Sequence, residues 1–330
     1  MKHLKIITLL GCTALLLSGC SRGTTSSPAE PKGVTPVQAN MDEFADIMNP
    51  TIDNSNRHEP KHLNTGDHRL IATSVATCEI TDKLDLDLVG APISTLGRLP
   101  ERYKDIPQIG MPMNPNVEVM MSLKPTKVYT PQSLREWLEP NYKKVNLPYE
   151  FINLSSVEGF YDSIDKLGKE NDRQQKSDAL LQKKDDFISK LQERHKNDKH
   201  PRVLIIMGLP GSYVVATPDS YVGNLVEIAG GENVFAGDSK NHEEFLNLSP
   251  EAMLEKDPDI ILRAAHAMPD QVEEMLHKEF SENGIWKHFR AVKDGKVYDL
   301  PHGEFGMTAN MDYVKALEYL EKLLYGGKHE

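Results

Sequence analysis

Cysteine is scarce in this sequence, which has three in a chain of 330 residues. Cys12 and Cys20 lie near the N-terminus, so Cys78 has no cysteine to pair with in the rest of the chain. A scaffold held together by internal disulfide bonds is therefore excluded. Cys78 sits among small residues, and we expect it to be a buried side chain rather than a reactive thiol.

Positive charge and apolar residues are also limited. The formal net charge is −11, which argues against nucleic acid or a bulk anionic surface as the main partner. Hydrophobic residues make up 39% of the chain, enough for ordinary cores but too few for a protein with many membrane spans. The sequence contains no P-loop, and its acidic residues form no pair that can be placed together. We therefore expect no enzymatic activity.

The N-terminus carries a targeting signal. Lys2 and Lys5 flank the start of an apolar segment, Ile6 to Leu17, that is too short to span a bilayer as a mature helix. The segment ends in Leu17-Ser18-Gly19-Cys20, which resembles a bacterial lipobox. The resemblance implies removal of a signal peptide (residues 1–19), a lipid on Cys20, and attachment to the outer face of the cytoplasmic membrane.

The rest of the chain divides around a long polar segment without proline, residues 155–200, whose apolar residues recur at helical spacing. Residues 69–154 and 201–330 each alternate short strands with helices, which is typical of a largely parallel, doubly wound sheet. We predict an α/β fold of two doubly wound lobes joined by a single long helix, with a ligand cleft between the lobes. A surface helix of one large domain is the alternative. Residues 20–68 are predicted to be a flexible tether.

One pattern occurs in both predicted lobes. The segment 115–128 can be laid on the segment 248–261, and each has a glutamate near the start of a helix, a proline seven residues later, and then a strand. A carboxylate is stabilised at the positive end of a helix, which would explain Glu118 and Glu251 without any further role. The second interpretation is that each lobe presents one carboxylate to a symmetric partner. The residues alone leave both interpretations open.

Ligands of doubly wound sheets bind outside the carboxyl ends of the strands. Two strong metal ligands lie there: Met113 in a loop braced by prolines, and His266 after a predicted strand. Each could also be an ordinary packed or hydrogen-bonded side chain. A thioether and an imidazole together suit haem iron or copper, and poorly suit calcium or magnesium. Met111 could serve in place of Met113.

Longer stretches resemble a known family, the substrate-binding lipoproteins of ABC importers, in the helical-backbone class that serves iron–siderophore, haem and cobalamin uptake. More narrowly, they resemble the haem receptor lipoproteins of Gram-positive bacteria. The resemblance covers roughly residues 69–325 and is carried by Leu99-Pro-Glu-Arg-Tyr-Lys-Asp-Ile-Pro-Gln-Ile-Gly110, Pro112-Met113-Asn-Pro-Asn-Val-Glu118, Ile206-Met-Gly-Leu-Pro-Gly-Ser-Tyr213, Ile228-Ala-Gly-Gly-Glu-Asn-Val234 and Ile285-Trp-Lys-His-Phe289.

This resemblance implies a site as well as a fold. It implies one haem b per chain, held in the cleft with Met113 and His266 as the axial ligands of the iron. His302 could compete with His266. The haem propionates would meet small polar residues and backbone amides at Thr73, Ser74, Val75, Ser94 and Thr95.

The resemblance also implies partners. Glu118 and Glu251 would dock onto arginines of an ABC permease, and cell-surface haem-relay proteins would supply the haem to a monomeric receptor. The first alternative is a ferric-siderophore receptor of the same class, for which Arg98, Arg102 and Arg263 are the candidate contacts. The second is a haem-modifying enzyme, which would need an open position on the iron.

Overall fold

The computed structural model describes residues 50–94, 99–238, 242–266 and 268–326. The signal peptide, Cys20, Thr95 and Arg98 lie outside these residues.

The first lobe contains a parallel sheet of three strands in the order β1, β4, β5. A short antiparallel hairpin, β2 and β3, lies between β1 and β4 in the chain. The elements follow in the order β1 (Leu70–Ala72), α1 (Val75–Lys83), β2 (Gly110–Met111), β3 (Asn114–Pro115), α2 (Val117–Ser122), β4 (Lys127–Pro131), α3 (Arg135–Lys144) and β5 (Tyr149–Ile152), with 3-10 turns at Glu101–Tyr103 and Gln132–Leu134.

Two helices connect the lobes, α4 (Val157–Glu170) and α5 (Gln174–His195). The hydroxyl of Ser156 accepts a hydrogen bond from Gly159 N at 3.0 Å and so caps the start of α4. The 22 residues of α5 span roughly 33 Å. Apolar residues of α5, among them Leu180 and Phe187, pack against the core while the opposite face is exposed, as the helical periodicity predicts.

The second lobe has a larger, mixed sheet in the order β11, β10, β6, β7, β9, with β8 also paired to β6. Its elements are β6 (Arg202–Leu209), β7 (Ser212–Ala216), α6 (Tyr221–Ile228), β8 (Glu232–Asn233), β9 (Phe245–Leu246), α7 (Pro250–Leu254), β10 (Ile260–Ala265), α8 (Pro269–Glu282), a 3-10 turn (Gly284–His288), α9 (Arg290–Lys293), β11 (Val297–Asp299) and α10 (Tyr313–Tyr325).

Part of this sheet departs from the predicted parallel arrangement. Strands β6, β10 and β11 are parallel, but β7 runs antiparallel to β6 and pairs Leu209 with Ser212. The cause is the two-residue turn at Pro210 and Gly211, because such a short connection can join only antiparallel strands. Gly211 has a φ of +78°, a conformation that suits glycine.

One apolar core runs through both lobes. It includes Leu70 and Tyr129 from the first sheet, Leu167 from α4, and Val203 and Leu262 from the second sheet. The outer face of each sheet packs into a separate cluster, covered by α2 and α3 in the first lobe and by α8 and α9 in the second. Helices therefore cover both faces of each sheet, and residues of the connecting helices, among them Leu167 and Leu191, belong to the core that the lobes share.

The last described part of the predicted tether belongs to the first lobe. Residues 50–68 lie against the first lobe, where the Asn54 side chain accepts from Gln108 N at 2.7 Å and Asn64 N donates to Asp87 at 2.8 Å. Leu63 packs into the outer apolar cluster of the first lobe. The sequence suggests disorder here because polar residues dominate. In the structure, hydrogen bonds between side chains and backbone, together with the packing of Leu63, hold the segment against the lobe.

Within the described part of the chain, no helix combines the length and apolar character needed to cross a membrane. Cys78 is fully buried in α1, as predicted. Burial raises the pKa of its thiol well above the usual range, which makes it unreactive.

Candidate functional site

His266 lies directly after β10, at the carboxyl edge of the second sheet. Its backbone N–H donates to the carbonyl of Gly208, at the end of β6, over 3.0 Å. The side chain is half-buried, and burial lowers the pKa of the imidazole. Among the described residues, neither ring nitrogen has a hydrogen-bond partner. A neutral imidazole with unengaged nitrogens is the form that binds a metal.

The loop that carries His266 is set by close packing of α8 on β6. A Cβ atom on Gly208 would lie 2.3 Å from Val272 and 3.0 Å from Leu276, so a larger residue there would push α8 away. Both α8 residues are buried. The backbone between His266 and α8 is also unusual, because Met268 has a φ of 44° in the left-handed region.

Met113 lies at the tip of the β2–β3 hairpin. Residues 110 and 111 pair with 115 and 114, which leaves Pro112 and Met113 as the two turn residues. The Met113 side chain is 46% exposed, whereas Met111 is 9% exposed and packed in the core. The carbonyl of Gly110 accepts from Ile93 N at 2.8 Å, which joins the hairpin to the segment that leads into Ser94.

Thr73, Ser74 and Val75 form the junction between β1 and α1. Ser74 is the N-cap of α1, and its hydroxyl accepts from Thr77 N at 3.2 Å. Thr73 is completely buried, and its hydroxyl has no hydrogen-bond partner among the residues the model describes. Such an orphaned donor, beside the positive end of a nine-residue helix, is suited to an anionic group. Ser94 is half-buried at the same edge of the sheet.

The arginines that a siderophore site would need are engaged elsewhere. Arg102 binds Asp85 at 2.9 Å and Asp87 at 3.0 Å. Arg263 binds both carboxylate oxygens of Asp299, at 2.8 and 2.6 Å, and its side chain is only 7% exposed. Arg98 lies outside the described residues. A cationic surface for a ferric siderophore is therefore not formed by Arg102 and Arg263.

The lobes touch at several points. Ala309 N donates to the carbonyl of Leu154 at 2.7 Å, and Met311 N donates to the carboxylate of Glu79, in α1, at 3.0 Å. Burial raises the pKa of Glu79. A small recess also lies at the boundary, lined by Gln132, Ser133, Asn153, Leu154, Ser155, Glu244, Met307 and Thr308. Burial, followed by the charge of Asp219, raises the pKa of the Glu244 carboxyl in this recess.

The two glutamates of the repeated pattern occupy equivalent positions. Glu118 is the second residue of α2, capped by Asn116, and Glu251 is the second residue of α7, capped by Ser249. Both glutamates are exposed, and neither forms an ion pair with a described residue. Two residues further along each helix comes a methionine that is fully buried, as expected for helices packed with the same face inward.

One motif was overlooked in the sequence. His58-Glu-Pro-Lys-His62 has the spacing of a zinc metalloprotease motif, which requires both histidines on one helix. Here the segment is not helical, Pro60 interrupts it, and Glu59 pairs with Arg69 at 2.7 Å. Among the described residues, no group of three or more His, Cys, Asp or Glu side chains can hold a metal ion.

The structure thus gathers Thr73, Ser74, Ser94 and the Met113 hairpin at the carboxyl edge of the first sheet, and His266 at that of the second. His302 also follows the second sheet, in an exposed turn after β11. Since the comparable edges of both sheets carry these residues, the arrangement suits a ligand held between the lobes by one metal-binding side chain from each.

Comparison with known proteins gives a consistent assignment. The sequence model of the periplasmic binding protein family matches residues 70–303. The high-affinity heme uptake system protein IsdE of Staphylococcus aureus (strain Newman) is 44% identical over 265 residues, which cover 80% of this chain and 89% of that protein.

Solved structures agree with the fold. An ABC transporter substrate-binding protein from Listeria monocytogenes EGD-e superimposes with a TM-score of 0.74 at 42% identity, over 79% of this chain and 100% of that one. S. aureus IsdE complexed with heme gives a TM-score of 0.74 at 44% identity, with the same coverage of 79% and 100%. The predicted two-lobed α/β fold is confirmed.

Proposed function

Because the chain belongs to the periplasmic binding protein family, whose members bind ligands and are not enzymes, we propose that it is the haem receptor of an ABC importer. The similarity to IsdE, a haem uptake protein, supports haem as the ligand. The observation that carries the proposal is a pair of donors, one at the carboxyl edge of each sheet: the imidazole of His266, unpartnered among the described residues, and the exposed thioether of Met113. Together these donors match haem iron.

Met113 and His266 are the proposed axial ligands of one haem b per chain. The exposed position of Met113 favours it over the buried Met111, which could reach a ligand only if the hairpin were rebuilt. Half-burial and the lowered pKa of His266 favour it over the exposed His302, since a neutral imidazole binds iron without first losing a proton. With both axial positions filled by protein, oxygen has no open position on the iron, which argues against a haem-modifying enzyme.

The propionates of the haem are proposed to meet the start of α1 and the neighbouring edge of the first sheet. Thr73 offers a buried hydroxyl without a partner among the described residues, and the first backbone amides of α1, beginning with Val75, lie at the positive end of the helix. Ser74, Ser94 and Thr95 complete the polar set proposed from the sequence. A carboxylate bound there would pair with the Thr73 hydroxyl, which has no partner among the described residues.

Delivery is proposed to use Glu118 and Glu251, one exposed carboxylate from each lobe, which would pair with arginines of the membrane permease. Their matched positions on two capped helices support a symmetric partner. The chain is proposed to act as a monomer held by a lipid on Cys20 at the outer face of the cytoplasmic membrane, where surface haem-relay proteins would load it.

Haem binding is tested by titrating the full chain, carrying Cys20→Ser to prevent lipidation, with haemin. We expect saturation at one haemin per chain, and no competition from a ferric siderophore in excess. Haem-free protoporphyrin is expected to bind much more weakly because it offers no iron to the axial ligands. Retention of the ferric siderophore instead of haemin would overturn the choice of ligand while leaving the transport role intact.

A further inference from the structure

Three charged or titratable side chains meet near the carboxyl end of β10, the strand that leads into His266, and the proposed function gives them no role. They are Arg263 on β10, Asp299 at the end of β11 and His277 on α8. We infer that this Arg263–Asp299–His277 cluster positions His266 for binding to the haem iron. The inference rests on the proposed function and deepens it, because it names residues that set how the iron is held.

The cluster is built on an ion pair between the neighbouring strands β10 and β11, in which Arg263 bonds both carboxylate oxygens of Asp299. Arg263 and Asp299 are direct partners in the parallel register of β10 and β11, so their side chains leave the sheet on the same face. Arg263 Nε lies 2.8 Å from Asp299 Oδ1, and its terminal nitrogen lies 2.6 Å from Oδ2. A planar guanidinium held at two points fixes orientation as well as distance.

Packing holds the guanidinium in place. Its central carbon lies 4.8 Å from the centre of the Phe280 ring, and Phe280 stacks on Trp286 with ring centres 4.0 Å apart. The Arg263 side chain is 7% exposed, whereas that of Asp299 is 31% exposed. A charge buried to this degree needs its counter-ion, so the pair constrains the end of β10 strongly.

The third residue of the cluster, His277, lies on the helix that follows the His266 loop. His266 lies three residues after Arg263, and α8 begins three residues after His266 at Pro269. From α8, His277 approaches the same Asp299 oxygen at 3.1 Å. Asp299 therefore contacts both the strand that leads into the His266 loop and the helix that leaves it. The connection between β10 and α8 spans only residues 266–268, so tying the strand to the helix restricts where its histidine can lie.

A control ion pair lies at the other end of β10. Arg290 pairs with Asp257 at 3.1 Å and with Asp259, the residue before β10, so it is also an arginine held by two acidic oxygens. This pair lies at the amino end of β10, seven residues and roughly 23 Å from His266. A general contribution to the stability of β10 is shared by both pairs, whereas only the Arg263 cluster lies toward the carboxyl end of β10, which leads into His266.

The test compares Arg263→Met, Asp299→Asn, the double variant and Arg290→Met, all in the full chain with Cys20→Ser. The double variant removes both charges of the pair together, so the buried position of Arg263 is left without an unpaired charge if a single variant folds poorly. Two properties are measured on haem-loaded protein: the rate of haem loss to an excess of an acceptor globin, and the absorption bands that distinguish low-spin from high-spin iron. The melting temperature of the haem-free protein is measured in parallel.

We expect haem loss to be about 10- to 100-fold faster in the three cluster variants, as for other groups that orient a metal ligand. Part of the iron should become high-spin in those variants. Arg290→Met should lower the melting temperature yet keep the wild-type rate and spectrum. Wild-type rates and spectra in the cluster variants would overturn the inference. Failure of the unaltered protein to take up haemin would instead overturn the proposed function, so the two failures are distinguishable.

Discussion

The two proposed iron ligands sit in opposite kinds of structure. His266 follows a central strand, is half-buried, and has its backbone bonded to Gly208 of the neighbouring strand at 3.0 Å. Met113 occupies the tip of a hairpin of two paired residues on each side, with 46% of its side chain exposed. One ligand belongs to the core of its lobe, and the other belongs to a small surface element.

This difference suggests that the two ligands have different roles in a protein that must bind haem and then release it. The exposed side chain of Met113 can turn away without moving the buried residues of the hairpin, whereas withdrawing His266 would strain β10 and β6. The thioether is also a neutral ligand, so its departure breaks no charged bond. We therefore expect histidine to hold the iron and methionine to be lost first during delivery.

The largest effect is expected from His266→Ala, which removes the ligand from the rigid lobe. Haem affinity should fall by more than about 100-fold, since even residues that only orient a ligand contribute about 10- to 100-fold. The measurement is equilibrium titration with haemin, and His302→Ala serves as the control because His302 is exposed in a turn. Loss of affinity in His302→Ala with none in His266→Ala would reverse the assignment.

A smaller effect is expected from Met113→Leu, which keeps the size of the side chain but removes the sulfur. Haem loss should be about tenfold faster, the equivalent of ~1.4 kcal/mol, measured by transfer to an acceptor globin. Met111→Leu is the matched control, since a conservative change in the core is tolerated and should leave the rate unchanged. If the Met111 variant loses haem faster and the Met113 variant does not, the hairpin presents the other methionine.

The glutamates should affect delivery and leave binding unchanged. Replacing both Glu118 and Glu251 by Gln is expected to reduce transfer to the permease about tenfold, with a smaller loss for either change alone, because each lobe would lose its charged contact. Transfer is followed as haem-iron uptake by cells that depend on this receptor. Glu136→Gln, in the exposed first turn of α3, is the control and should transfer haem normally. Reduced haem affinity in the double variant would contradict a role limited to docking.

The smallest effect concerns the boundary between the lobes. Burial raises the pKa of Glu79, so the ionised carboxylate costs stability at high pH, and this cost disappears as pH falls through the pKa of the folded protein. Glu79→Gln, which keeps an acceptor for Met311 N, should raise the melting temperature at pH 8 by on the order of 2 °C. The gain should shrink in acid.

The control for this prediction is Glu158→Gln. Glu158 is exposed and accepts a hydrogen bond from Asn224 at 3.2 Å, so its replacement should change the melting temperature little at either pH. A gain for Glu79→Gln that stays constant from pH 8 into acid would show that the carboxylate charge is not responsible.

The repeated pattern around Glu118 and Glu251 predicted much of the architecture correctly. It works because the signals are local: a cap, an inward-facing methionine and a proline before a strand lie within a dozen residues. The connecting helices were predictable for the same reason. The extent of the tether was not, because the contacts of Asn54 and Asn64 with the first lobe join residues far apart in the chain.

The site was predictable only in part. His266 and Met113 follow from the general rule for strand ends together with the family resemblance. The pairing of Arg263 with Asp299 depends on the register of β10 against β11, across 36 residues of chain, and no periodicity reveals it. Likewise, the choice between Met111 and Met113 depends on which residues fall in the hairpin turn, a matter of one or two positions.

The most direct test of the account is the absorption spectrum of the haem-loaded full chain after reduction with dithionite. We expect the unaltered protein to show a sharp Soret band with resolved α and β bands, the mark of six-coordinate low-spin iron. We expect His266→Ala to lose that spectrum and Met113→Leu to show a five-coordinate, high-spin spectrum. An unaltered protein with five-coordinate iron, or a low-spin spectrum that survives both substitutions, would contradict axial ligation by one residue from each lobe.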